Sequence, residues 1–123
     1  MIEPISDMPQ GTVGFRFSGD IAAADYSDVV APRIRELIDG NEPIRILLQI
    51  GPDFHEEFGS LWEGAKFDFE FGVKHWSAWK RTAVVTDVEW IRRSTQLFAW
   101  MMPGDAKVFS QTELAEAKTW VAS

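Results

Sequence analysis

Apolar residues occupy every second position through Val13, Phe15 and Phe17, the period of a strand with one buried face. The preceding segment, MIEPIS, can pair with it, and DMPQG between them has the composition of a hairpin turn. Pro4 suits a sheet edge, because proline cannot donate to a ladder. The period then changes. Tyr26, Val30, Ile34, Leu37 and Ile38 fall on one face at helical spacing. Asp20 or Asp25 is the expected start cap and Gly40 the stop. Pro32 lies inside this pattern and predicts a kink, or the start of a second segment.

IRILLQI, residues 44–50, is a continuous apolar run, as expected of a central strand covered on both faces. TAVVTD (82–87) and AKVF (106–109) are shorter runs of the same kind. VEWIRRSTQLFAWMM between them and TELAEAKTWVA at the end read as helices, with Thr112 as the expected cap of the last. The predicted order is β-β-α-β-α-β-α-β-α. Strands alternating with helices predict an α/β fold with a mostly parallel sheet and right-handed crossovers, to which the first hairpin adds an antiparallel edge. No repeat or linker interrupts the 123 residues, which suit one domain over 1–123.

One crossover does not fit so simply. Residues 54–81, FHEEFGSLWEGAKFDFEFGVKHWSAWKR, hold eight of the chain's sixteen aromatic residues, interleaved with charges. Phe67, Phe69 and Phe71 alternate as in a strand, whereas Trp62, Ala65, Phe69, Val73 and Trp76 share one helical stripe and Phe67 and Phe71 another. A strand here would need a partner between two buried strands, so a helix from about Ser60 is predicted. With rings on two flanks, such a helix has more apolar surface than one sheet face covers.

Charge sharpens the picture. The net charge is −7, which disfavours nucleic acid as a partner, since neutralising phosphate supplies most non-specific affinity. Residues 1–73 carry −9, residues 74–93 carry +3 and the remainder −1. Lys74, Lys80, Arg81, Arg92 and Arg93 therefore follow directly on the aromatic segment. They read either as a solvated face or as a basic rim beside an apolar surface. Trp90 next to Arg92 and Arg93 suits a protein interface or a membrane headgroup zone. MIEPISDMPQ has no signal-peptide pattern, and no apolar run approaches the roughly 20 residues of a membrane span. A cytoplasmic protein, with peripheral membrane contact as an extension, is expected.

Catalytic signals are weak. With no cysteine, disulfides, thiolate metal sites and thiol nucleophiles are excluded. His55 and His75 have neither zinc spacing nor a His-Glu-x-x-His frame. No nucleophile elbow or phosphate loop occurs. Glu56 and Glu57 are adjacent, a spacing that does not bring two carboxylates together on a helix. The expectation is a non-enzyme with no catalytic residue, metal ligand or cofactor.

Five segments in order, GFRFSGDIAAADYSDVVAP, IRILLQIGPDF, SLWEGAKFDF, RTAVVTDVEWI and KVFSQTELAEAKTWV, resemble the SpoIIAA-like proteins, relatives of the STAS domain. The resemblance implies a mixed, mostly parallel sheet of about four to five strands with about four helices. STAS relatives that antagonise anti-sigma factors are phosphorylated on a serine in an Asp-Ser-Ser-Gly-like signature, at the start of the helix after the central strand. Here that loop reads GPDFHEEFGSLWEG, which lacks the signature and offers only Ser60. A serine there is also an ordinary helix cap. SpoIIAA-like proteins are similar in fold to the CRAL-TRIO lipid-carrier domains, in which an apolar ligand lies between sheet and mobile helices.

Three readings follow. The leading one is a binding module that holds a small apolar or lipid-like ligand under a lid at 58–76, through Trp62, Phe67, Phe69, Phe71 and Trp76, with reversible membrane association through the basic rim. The second is a STAS-type partner-switching regulator with a protein partner near Ser60. The third is a homo-oligomer whose interface the rings make.

Overall fold

The computed structural model of the chain describes residues 1–53, 55–56, 78–98 and 104–123. The predicted hairpin forms from β1 (Ile2–Pro4) and β2 (Val13–Phe17), antiparallel, with Pro4 opposite Phe15 at the sheet edge. Its turn closes on Thr12, whose N–H and hydroxyl both donate to the Pro9 carbonyl, at 3.1 and 2.6 Å. Val13, Phe15 and Phe17 are buried, as their period requires.

After the two-residue strand β3 (Asp20–Ile21), a helical turn (Ala23–Asp25) and a π-helical segment (Tyr26–Val30) lead into α1 (Ala31–Asp39). Neither aspartate stands at the cap position; Asp25, third in that turn, reaches back to accept the Ala22 N–H at 2.9 Å. Pro32 falls in the first turn of α1, so the second-segment alternative holds. A proline N–H is not needed there, and its fixed φ already suits a helix. Val30, Ile34 and Leu37 are buried, and Ile38 is half-buried against the same cluster. Gly40 ends the helix by donating its N–H to the Glu36 carbonyl at 3.0 Å, and the left-handed step falls on Asn41 (φ 57°).

β4 (Ile44–Ile50), β6 (Trp79–Val85) and β7 (Asp105–Phe109) complete a five-stranded sheet in the order β1-β2-β4-β6-β7. All its neighbours except β1 and β2 are parallel. β3 pairs in parallel with β5 (His55–Glu56) as a separate two-stranded sheet that the apolar pattern did not signal. Two residues are too few to establish a period. α2 (Glu89–Phe98) connects β6 to β7, and α3 (Leu114–Ala122) ends the chain. Among the described residues these are three helices of nine or ten residues, against an expectation of about four. The helix expected from Ser60 lies outside the described residues.

The sheet has two apolar faces. On one, Phe15, Phe17, Ile46, Ile50 and Val84 pack with Ile34 and Leu37 of α1 and Ile91 of α2. On the other, Leu47, Ala83, Val85 and Phe109 pack with Ala117 and Val121 of α3. β4 contributes to both, which explains its continuous apolar sequence. Each fully buried Val, Leu, Ile or Phe among them contributes about 1.5–3 kcal/mol.

β6 begins three residues before the expected Thr82. The reason is a bulge: Ile44 pairs with Trp79 but Arg45 with Arg81, leaving Lys80 extra. The bulge breaks the alternation. Trp79 packs on the α1–α2 side, while Arg81 reaches α3. The start of the last helix is also corrected. A 3-10 turn (Gln111–Glu113) leads into α3, and Ser110, two residues before Thr112, caps that turn; its N–H donates to the Glu113 carboxylate at 2.8 Å. Because β7 runs to Phe109, the first extended residue after it takes the cap. The Thr112 hydroxyl instead lies 2.9 Å from that of Ser110.

Candidate functional site

Parallel strands all end on one side of the sheet, and in open α/β sheets ligands lie outside those carboxyl ends. Here that rim is built by the residues after Phe17, Ile50, Val85 and Phe109. Gln111 spans it. Its side-chain N–H donates to the Ile50 carbonyl at 2.8 Å, its oxygen accepts from Gln49 at 2.9 Å, and its own backbone N–H donates to Asp87 at 3.1 Å. Gln49 in turn accepts from Arg16 of β2 at 3.3 Å. A polar ladder thus runs across the sheet from β2 to the turn after β7. Thr86, fully buried, accepts the Val88 N–H on its hydroxyl, and its carbonyl accepts from Arg92 at 2.8 Å. Asp87, Glu89, Arg92, Arg93 and Gln96 line a shallow polar depression at this rim.

The described residues of the predicted basic rim do not converge on one point. Arg92 is tied to the Thr86 carbonyl, and Arg93 pairs with Glu89 at 2.7 Å. Arg81 serves α3 instead. It donates to the Trp120 carbonyl at 2.9 Å and the Ser123 hydroxyl at 2.8 Å, and lies 4.8 Å from the centre of the Trp120 ring. Arg45 donates to the Val121 carbonyl at 3.0 Å. Two arginines from neighbouring strands thus satisfy the last turn of α3, where carbonyls lack helical partners and the dipole favours cations. Arg81 and Arg92 sit toward opposite ends of β6. Lys80, the bulge residue, is exposed. Lys74 lies outside the described residues, as do Ser60, Trp62, Phe67, Phe69, Phe71 and Trp76.

Trp79 has the other unusual environment. It is packed against the α1–α2 core cluster with Ala78 and Val88, and its indole N–H is buried with no hydrogen-bond partner among the described residues. A buried unpaired donor costs about 1–3 kcal/mol, so such a group calls for an acceptor, whether an ordered water or a ligand atom. On the opposite side of the sheet, Phe109, Trp120, Lys107 and Thr119 line a second open groove. Two carboxylates are held below their ordinary range. Asp7 is lowered chiefly by its hydrogen bond to Lys118 at 2.9 Å, and Glu113 by the N–H of Ser110. Both are structural ties of α3. Among the described residues, no three His, Asp or Glu are grouped as metal ligands, and no helix is long and apolar enough to cross a membrane.

Sequence reasoning missed Trp79, Gln49, Gln111 and Asp87. Trp79 stood among so many rings that nothing singled it out. The other three act through contacts more than twenty residues away, which no local pattern signals.

A mostly parallel open sheet, helices on both faces and a polar carboxyl-end rim define an open-sheet α/β protein. The pattern of the SpoIIAA-like family matches residues 12–122, and the chain belongs to that family. In fold it is similar to the crystal structure of an uncharacterized protein of the DUF3478 family with a SpoIIAA-like fold from Shewanella loihica PV-4. The two share a TM-score of 0.67 and 22% identity over 98% of this chain and 93% of that one. No curated protein matches the chain.

Proposed function

We propose that the chain is a non-enzymatic binding module that holds a small apolar, lipid-like ligand on the α1–α2 side of the sheet. The observation that carries this reading is the buried, unpartnered N–H of Trp79. Its position in the chain adds weight, because it directly follows the ring-rich crossover. A ligand with an apolar body and one acceptor, such as a carboxylate or ester carbonyl, would satisfy that N–H while the rings of 58–76 cover the body. A fluorescent fatty acid tests the idea. The wild-type chain is expected to bind it saturably, and Trp79→Phe, which keeps a ring but removes the donor, about tenfold more weakly. No saturable binding, or equal binding by both, would count against it.

A second reading is favoured by the carboxyl-end rim. Its shallow polar depression with Arg92 and Arg93 suits an acidic protein surface, and the loop to Ser60 leaves the sheet at that same end. In this reading the chain is a STAS-type partner-switching regulator. Wild type and Ser60→Asp used as paired baits discriminate: a protein held by the first and lost by the second supports switching, and identical retention argues against it.

A further inference from the structure

We infer that the outer edge of β7 pairs with the same strand of a second copy of this chain, antiparallel and centred on Ala106. Among the described residues β7 has one strand neighbour, β6, and forms one edge of the main sheet. The opposite edge, β1, is three residues long and contains Pro4, two devices that blunt an edge. β7 has five residues and no proline.

The sequence of β7 is self-complementary. Asp105 and Lys107 are two apart and so share a face. Two copies related by a two-fold axis perpendicular to the sheet keep their faces aligned, so only registers centred on a residue are allowed. Centring on Lys107 opposes two ammonium groups, and centring on Asp105 opposes two carboxylates. Centring on Ala106 sets Asp105 opposite Lys107 of the partner subunit, and symmetry makes that pair twice. Directly opposed side chains of opposite charge favour pairing, and like charges oppose it. Asp105 and Lys107 have no ion pair among the described residues; Lys107 leans over Phe109 at 5.1 Å and acts on Glu113 only through space.

The helix on this edge adds apolar area. α2 packs on β7 and carries Trp90 and Leu97, 56% and 65% exposed. They are seven residues apart and lie on one side of the helix. Edge-to-edge pairing sets the two copies of α2 on the same face of the joined sheet, with Leu97 available for contact between them. The interface is isologous and closes as a dimer.

Sedimentation equilibrium of the full chain across a concentration series tests this. Wild type is expected to reach twice the 14.0 kDa chain mass. Asp105→Lys and Lys107→Asp each turn two attractive pairs into two repulsive ones, and each is expected to raise the dimer dissociation constant by about tenfold or more. The double variant, Asp105→Lys with Lys107→Asp, restores complementarity and the dimer. Circular dichroism verifies that each variant is folded. A monomer at every concentration overturns the proposal. So does a dimer that the single reversals leave intact, or a double variant that fails to recover.

Discussion

Among the glycines of the described residues, Gly104 leaves the least room for a side chain. It holds φ 74° where the chain enters β7, and a Cβ there would lie 2.6 Å from the Lys80 carbonyl oxygen and 2.7 Å from that of Trp79. Both are backbone atoms of β6 and cannot swing away. Gly104→Ala is expected to cost about 2 kcal/mol or more, read from the urea midpoint. Gly11 has a similar φ of 83° but open space around it, so Gly11→Ala should cost only about 1 kcal/mol. The lowered carboxyls of Asp7 and Glu113 give a pH signature. A group with a depressed folded pKa contributes stability above the ordinary carboxylate range, and that contribution is lost as pH falls through the lowered value. Urea midpoints of wild type should therefore fall between about pH 7 and about pH 3, and those of Glu113→Gln or Lys118→Met should fall less.

Elements whose signal is local were legible from the chain alone. β2 was visible because half-burial forces a period of two, and β4 because helices cover both of its faces. The break at Pro32 was legible because proline restricts backbone in any context. What the pattern did not carry is non-local. The bulge at Lys80 hid the first three residues of β6 by moving Trp79 and Arg81 to opposite faces. Arg81 and Arg92 read as rim charges, yet backbone carbonyls hold both, one of them 39 residues away along the chain. Of the candidate site, the ring-rich segment 58–76 stood out by composition but lies outside the described residues, while the unpaired N–H of Trp79 required the fold. The cap on α3 makes a prediction at this scale. Arg81→Met removes charge-assisted bonds to the last turn and should cost about 1–2 kcal/mol. It should also speed amide exchange at the end of α3 more than in α1.

At the scale of the molecule, one sheet separates two jobs. The α3 side is tied down by Arg45, Arg81 and the Lys118–Asp7 ion pair. The α1–α2 side carries the orphan indole of Trp79. That division is the basis for assigning a ligand to the second side. Native mass spectrometry of the purified chain, with organic extraction of whatever is released, tests it most directly. The account predicts a species heavier than the 14.0 kDa chain by the mass of a small apolar molecule, and loss of that species in Trp79→Phe. A bare chain mass or its simple multiple, together with a Trp79→Phe variant more stable than wild type, would mean that the N–H is an unrelieved cost and that no ligand waits for it.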